Sequence, residues 1–164
     1  MIAPLFQLRR LLVLIGLFCL GLLAFGWYLQ NYQGLEPCPM CIVQRYCMVL
    51  AAIVAFLGAA CPKALGQKLA AGGVILVALA GFGTALRQSW LQWYPPEFFS
   101  CGRDPFNMVN KIPLADLIPK VFAGQGDCTA VDWTFLGGSI ANWAMLCFAG
   151  IVALLVIALF RRGT

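Results

Sequence analysis

The chain of 164 residues is 62% hydrophobic and only 10% charged, and its mean hydropathy is +0.88. Soluble globular domains are about 45–50% apolar and about 25% charged, so this composition excludes a soluble domain, a disordered chain and a nucleic-acid-binding module. The net charge of +5 comes from basic residues between apolar runs, which indicates membrane topology. The absence of histidine excludes imidazole catalysis and histidine metal ligands, whereas eight cysteines direct attention to thiol chemistry.

Four apolar runs without a charged residue divide the chain, and each is long enough for a membrane helix of about 20 residues. The alternating pattern of a β-barrel is missing. We therefore predict an all-α fold, a membrane four-helix bundle forming a single integral membrane domain over residues 1–164. The predicted helices lie near residues 11–30, 42–60, 69–87 and 142–160.

Glycines within these runs suggest local details. Residues 137–139, Gly-Gly-Ser, predict the end of a loop before the fourth helix begins near Asn142. Candidates for close helix approach in the third helix are Gly72, Gly73, Gly81 and Gly83.

The first run has an alternative interpretation as a secretory signal, because Arg9 and Arg10 precede it. Its apolar core is longer than the roughly 7–15 residues of such signals, and no A-x-A cleavage site follows. We expect an uncleaved membrane span.

Basic residues predict the orientation of the bundle. With four spans, both termini and the loop at 61–68 share one side, which carries no acidic residue. The positive-inside rule places this side in the cytoplasm, so the loops at about 31–41 and 88–141 face the exterior or periplasm. The basic residues on the cytoplasmic side are Arg9, Arg10, Lys63, Lys68, Arg161 and Arg162.

This topology separates the cysteines into two groups. Cysteines within spans or at their cytoplasmic ends usually act as small apolar side chains; these are Cys19, Cys47, Cys61 and Cys147. The other four lie in the compartment where disulfides persist; these are Cys38, Cys41, Cys101 and Cys128. Two structural disulfides remain an alternative for them, and one between Cys101 and Cys128 would add roughly 3–4 kcal/mol of stability.

The pair Cys38-Pro39-Met40-Cys41 favours redox chemistry, because a C-x-x-C ring constrains little chain and usually binds metal or exchanges electrons. Zinc normally requires a second close pair or histidines. Cys41 falls where a predicted helix begins, so free N–H groups and the helix dipole favour an anion there. Arg45, one turn further on, also stabilises the nucleophilic thiolate, although a snorkelling interfacial arginine is the alternative.

The second outer loop is about 50 residues long, and loops of that length are usually functional or disordered. Residues 112–122 place apolar residues at helical spacing between charges. We predict a short amphipathic helix on the membrane surface, which anchors the loop or lets its cysteines approach the C-x-x-C pair.

The stretch from Cys38 to Arg45, CPMCIVQR, resembles the C-x-x-C-x-x-x-R signature of the DsbB family, bacterial inner-membrane quinone reductases that drive disulfide formation. The similarity runs from about residue 10 to 160, and the combination of motifs is more specific than the C-x-x-C alone. Further segments similar to the family are Trp90–Pro95, Cys101, Pro119–Phe122, Gly126–Cys128 and Trp133–Gly137.

The resemblance implies a relay of thiol–disulfide exchange. A reduced DsbA-like, thioredoxin-fold oxidase would attack a Cys101–Cys128 disulfide and form a mixed disulfide with Cys101. Cys128 would then exchange with Cys38, and Cys41 would pass electrons to a membrane quinone, ubiquinone or menaquinone. Arg45 would lie beside this quinone. The implied location is the bacterial inner membrane, with both termini in the cytoplasm and no nucleic-acid partner.

Gln88 marks a departure from the family pattern. Some members carry a histidine near the end of the third span that is thought to contact the quinone, and Gln88 aligns with it. An amide can still donate a hydrogen bond to a quinone oxygen, but it carries no titrating charge. The alternative is an interfacial polar residue.

Three other interpretations stay open. The first is a relative dedicated to one client or resembling vitamin K epoxide reductases, although in those enzymes the loop pair precedes the C-x-x-C. The second is a non-enzymatic membrane scaffold with two structural disulfides. A small transporter is the third, but it would require acidic residues within the spans.

Overall fold

The computed structural model describes residues 2–35, 37–94, 128–129, 131 and 133–160, with side chains from residue 7 onward. All four helices in these ranges are long and apolar enough to cross a membrane. They are α1 (Ile2–Gln33), α2 (Pro39–Ala60), α3 (Ala64–Trp93) and α4 (Ile140–Phe160). The predicted all-α four-helix bundle is confirmed. The predicted surface helix at 112–122 lies outside the described residues.

The helices α1 and α3 are longer than the apolar runs that predicted them. They contain 32 and 30 residues. At about 1.5 Å per residue α3 measures roughly 45 Å, whereas the hydrocarbon layer is roughly 30 Å thick. The ends of α3 therefore project into the interfaces, where polar side chains can meet water.

A short hairpin, β1 (Thr134–Phe135) and β2 (Gly138–Ser139), precedes α4 and corrects one prediction. Its turn uses positive φ angles at Leu136 (50°) and Gly137 (79°), as tight hairpin turns do. The Ser139 hydroxyl accepts a hydrogen bond from the Asn142 N–H at 3.4 Å. Because this contact caps the first turn of the helix, α4 starts at Ile140 directly after the strand and not near Asn142.

Packing of the bundle relies on small side chains. α2 packs against α1 and α3, and α3 also packs against α4. The α2–α3 contact brings Gly58 against Ala70, and a Cβ built at Gly81 would approach the Phe148 ring of α4 to 2.5 Å. Four of the nine buried residues of α2 are alanines, namely Ala51, Ala52, Ala55 and Ala59. Close approach of backbones follows, as is typical of membrane helices.

Large apolar side chains cover the outside of the bundle. Leu57 is 63% exposed, Leu76 71% and Phe160 77%. Such a surface would be a severe solubility defect in water and suits contact with lipid.

The antiparallel arrangement gives the bundle two different ends. We call them the Cys38 end, which holds the α1–α2 turn, the end of α3 and the hairpin, and the Cys61 end, which holds the α2–α3 turn. The site described next lies at the Cys38 end.

Candidate functional site

Cys38 and Cys41 occupy the first turn of α2. Cys38 is the extended N-cap residue (φ −78°, ψ 161°), and its sulfur accepts a hydrogen bond from the Cys41 N–H at 3.3 Å. Pro39 follows at the first helical position, where its fixed φ suits the helix and its missing N–H costs nothing. The Cys38 thiol donates to the Cys41 sulfur across 3.0 Å, about 1 Å more than a disulfide bond. A small movement therefore suffices to join or separate the pair.

Gln88 of α3 contacts both sulfurs. Its Nε2 lies 3.2 Å from Cys41 Sγ and 3.3 Å from Cys38 Sγ, and the side chain is only 4% exposed. This burial places Gln88 between the helices and in contact with the cysteine pair.

Gln44 completes a buried amide pair with Gln88. Its Nε2 donates to Gln88 Oε1 at 2.8 Å, and Gln44 is itself 4% exposed. Because Gln44 follows Cys41 by three positions, it projects from the same face of α2.

Arg45 connects α2 to α1. Its Nη1 donates to Gln30 Oε1 at 2.9 Å. Gly26 lies close by on α1, where a Cβ would stand 3.8 Å from the guanidinium. The guanidinium is therefore directed between the two helices and does not simply snorkel away from the bundle.

Cys128 joins this cluster from a distant part of the chain. Its side chain makes a hydrogen-bonding contact with Cys38. The pKa of Cys38 is raised above that of an ordinary thiol by this contact first, then by the hydrogen bond with Cys41 and by burial. Cys38 therefore keeps its proton, and it touches Cys128 on one side and Cys41 on the other.

A cavity of about 630 Å³ opens beside these groups. Its floor and walls are apolar and come from α1, α2 and α4, including Leu22, Met48 and Ala144. Its polar lining residues, apart from the three cysteines Cys38, Cys41 and Cys147, are Gln30, Gln44, Arg45, Gln88, Gln92 and Ser139. A mostly apolar cavity with a few convergent polar groups is typical of small-molecule sites.

Aromatic residues in and beside the hairpin line the cavity. The Trp133 ring meets Phe25 of α1 edge-on at 6.1 Å. The hairpin is held in place because Trp143 Nε1 donates to the Phe135 carbonyl at 3.0 Å and the Ser139 hydroxyl donates to Gln92 at 2.6 Å.

The structure thus brings together most of the residues that the sequence singled out. Cys101 lies outside the described residues. The residues gathered at the site are Cys38, Cys41, Arg45, Gln88 and Cys128. Two polar contacts were missed by the sequence interpretation, namely Gln30 and Gln44. The available signal was an uncharged amide within an otherwise apolar run, because a buried amide requires a partner.

Comparison with known proteins agrees with this geometry. The family model described as "Disulfide bond formation protein DsbB" matches residues 8–158. A relative from Polaromonas naphthalenivorans, "Disulfide bond formation protein B", is 59% identical over 158 residues, which cover 94% of this chain and 93% of the relative. Relatives of the same name from Acidovorax sp. and Aromatoleum aromaticum are 53% and 51% identical and cover 94% and 91% of this chain, and 89% and 93% of their own lengths.

The match spans the four helices, the C-x-x-C turn and the long loop together, at an identity far above chance. With its four membrane-spanning helices, this multi-pass membrane protein belongs to the DsbB family of disulfide bond formation proteins.

Proposed function

We propose that this protein re-oxidises a periplasmic DsbA-like thiol oxidase and passes the electrons to a membrane quinone. The observation that carries the proposal is the arrangement of three cysteines: Cys38 contacts both Cys128 and Cys41 at the edge of an apolar cavity. Thiol–disulfide exchange requires an attacking sulfur next to the sulfur that it attacks. Purely structural disulfides would not need this arrangement.

In each exchange step one thiolate attacks a disulfide and another thiolate is released. A thiolate of the reduced partner attacks the Cys101–Cys128 bond, so that a bond to Cys101 forms and Cys128 leaves as a thiolate. Cys128 attacks Cys38, and Cys41 is released as a thiolate. The second thiol of the partner resolves the mixed disulfide and frees Cys101, which attacks Cys128 and restores the loop disulfide. Cys38 and Cys41 then hold the two electrons.

The cavity fits a quinone. A volume of about 630 Å³ accommodates the ring and the first part of an isoprenoid chain, and the apolar walls suit both. Arg45 and Gln92 supply hydrogen-bond donors among the lining residues. A quinone bound there would supply an acceptor for two electrons and two protons, which are those released when the Cys38–Cys41 disulfide forms again.

The chain's own residues prepare Cys41 for this role. The free N–H groups at the start of α2 favour a thiolate, and the Arg45 guanidinium one turn away adds a positive charge on the same side. The mostly apolar walls lower the local dielectric constant and strengthen these interactions.

Anaerobic turnover of the purified protein tests the proposal. With a reduced DsbA-like partner, we expect stoichiometric reduction of ubiquinone or menaquinone, which is measured by the absorbance change of the quinone. We expect no reduction with Cys41→Ser. The matched control is Cys61→Ser, which replaces an exposed cysteine at the opposite end of the bundle. Quinone reduction that persists in Cys41→Ser would refute the assignment.

Trapping tests the partner side of the relay. A partner that lacks its resolving thiol should accumulate a mixed disulfide with this protein, and the adduct should disappear in Cys101→Ala. A scaffold with structural disulfides predicts no adduct in either case.

A further inference from the structure

The two buried amides beside the cysteine pair have a fixed mutual orientation. Gln44 and Gln88 come from different helices, and both are 4% exposed. Their contact is a 2.8 Å hydrogen bond in which Gln44 donates and Gln88 accepts. This bond directs Gln88 Oε1 toward Gln44, so the amide nitrogen of Gln88 faces the sulfurs, although Oε1 also accepts a longer 3.6 Å hydrogen bond from the Cys41 thiol.

The Gln88 nitrogen then serves both cysteines. It lies 3.2 Å from Cys41 Sγ and 3.3 Å from Cys38 Sγ, whereas Gln88 Oε1 lies 3.6 Å from Cys41 Sγ. A flipped amide would direct an oxygen lone pair at a sulfur anion and an NH₂ group at the NH₂ group of Gln44. Both contacts would be repulsive, so Gln44 selects the orientation that favours a thiolate.

We propose that Gln88 is a catalytic residue that stabilises the Cys41 thiolate by direct hydrogen bonding, and that Gln44 is the positioning residue that aims it. The inference rests on the proposed function and deepens it. It also changes the role expected for Gln88, because its donor nitrogen faces the sulfurs and not the part of the cavity beside Arg45.

The donor is uncharged, which has a chemical consequence. A hydrogen bond to an ionised acceptor is stronger than one between neutral groups, so the amide favours the thiolate without becoming charged itself. The titratable or charged groups around the cysteine pair within the described residues are Arg45 of α2, Cys128 and, on the wall of the same cavity, Cys147 of α4, whereas α1 contributes the amide of Gln30. Neither Gln88 nor Gln44 titrates, so the thiols themselves should dominate the pH profile of the site.

The test measures alkylation of the reduced, full-length protein by iodoacetamide at several pH values, with Cys41 resolved by mass spectrometry. The midpoint of the rate profile reports thiolate formation, and its plateau reports accessibility. In Gln88→Leu we expect the midpoint for Cys41 to rise by about one pH unit, which means roughly tenfold less thiolate below the midpoint. Gln44→Leu should give a smaller rise, because the amide stays but is free to rotate.

A second variant guards against misfolding. Gln88→Glu keeps the shape of the side chain and its contact with Gln44, but it replaces the donor by an acceptor. Its midpoint should rise further than that of Gln88→Leu. The matched control is Gln67→Leu, which removes a buried amide from the same helix at the Cys61 end, where Gln67 donates to the Cys61 carbonyl. This control should not move the Cys41 midpoint.

The outcomes separate this inference from the proposed function. If the Gln88 variants leave the Cys41 midpoint in place and only weaken quinone binding, Gln88 is a quinone contact and the inference is overturned. An absence of quinone reduction by the unaltered protein would reject the proposed function, whereas the alkylation profile would still show whether Gln88 acts on Cys41.

Discussion

Arg45 is a cation within a helix that is otherwise uncharged. A charged side chain at membrane depth is costly unless it finds partners, and residues of this kind usually serve a function. Gln30 accepts a hydrogen bond from the guanidinium at 2.9 Å. Arg45 also lines the cavity, where its positive charge can interact with a bound molecule. The position of Arg45 four residues after Cys41 places both groups on one side of α2.

Replacing Arg45 by methionine should separate quinone reduction from disulfide exchange. Methionine keeps the apolar stem, so the helix should remain packed. Loss of the positive charge and its donors should lower kcat/KM for the quinone by about 100-fold. Formation of the mixed disulfide with the trapped partner should not change, because Cys101 and Cys128 precede Cys41 in the proposed relay.

Arg87→Met is the matched control for this experiment. Arg87 precedes Gln88 on α3 but does not line the cavity, and its side chain is exposed. Equal losses of quinone reduction in both variants would show that general charge at this end of the bundle matters and that Arg45 has no special role.

Sequence patterns predicted the cysteine pair and Arg45, and the family resemblance added Gln88, but neither predicted Gln30 or Gln44. The start of a helix after Cys38-Pro39 is a local property, and Arg45 follows from the same local spacing. The partners Gln44 and Gln88 are separated by 44 residues along the chain. Their contact depends on how α2 and α3 face each other, which no local pattern specifies.

The same reasoning applies to the helices. Their number follows from apolar runs, because a run of about 20 residues suffices to span a bilayer. Their rotation about their own axes does not, because a membrane helix that is apolar all round has no amphipathic face to orient it. Among the glycines predicted to allow close approach, Gly81 faces Phe148 and Gly73 faces Val54, whereas Gly72 and Gly83 face open space. The tightest contact, between Gly58 and Ala70, was not predicted.

Gly58 should therefore be the least replaceable of these glycines. In Gly58→Ala the new methyl group would collide with Ala70, and neither α2 nor α3 can yield by rotating a side chain. We expect a loss of about 1–3 kcal/mol in the free energy of unfolding, measured in mixed micelles by denaturant titration. In Gly72→Ala, where nothing lies within 4 Å, stability should stay equal or rise by up to about 1 kcal/mol. Similar losses for both substitutions would mean that helix α2 does not pack on α3 at Gly58.

The long outer loop follows α3 and ends before the hairpin. Cys101 and the predicted surface helix at 112–122 lie outside the described residues, so their placement stays a prediction. Only the return of Cys128 to Cys38 shows that the loop reaches the C-x-x-C turn. Charged residues interrupt the sequence of this loop, so no long apolar run predicts how the loop is oriented.

Charge is distributed unevenly between the two ends of the bundle. At the Cys61 end, Lys63 lies in the α2–α3 turn and Lys68 in the first turns of α3, and α1 contributes Arg9 and Arg10 near the same end. The described residues of the molecule contain no acidic side chain, so no carboxylate within them offsets this charge. The positive-inside rule then predicts that the Cys61 end faces the cytoplasm and the Cys38 end the periplasm.

Cys61 is a natural reporter of this orientation, because it is exposed in the α2–α3 turn. A membrane-impermeant maleimide should leave it unlabelled in intact spheroplasts and label it after permeabilisation. Cys61→Ala identifies its signal. As the opposite reporter, Tyr32→Cys replaces a side chain that is 77% exposed near the α1–α2 turn, and it should react in intact spheroplasts. Labelling of Cys61 without permeabilisation would show that the bundle has the opposite orientation. Cys38 and Cys41 would then face the reducing cytosol, where a partner thiol oxidase could not use them to make disulfides.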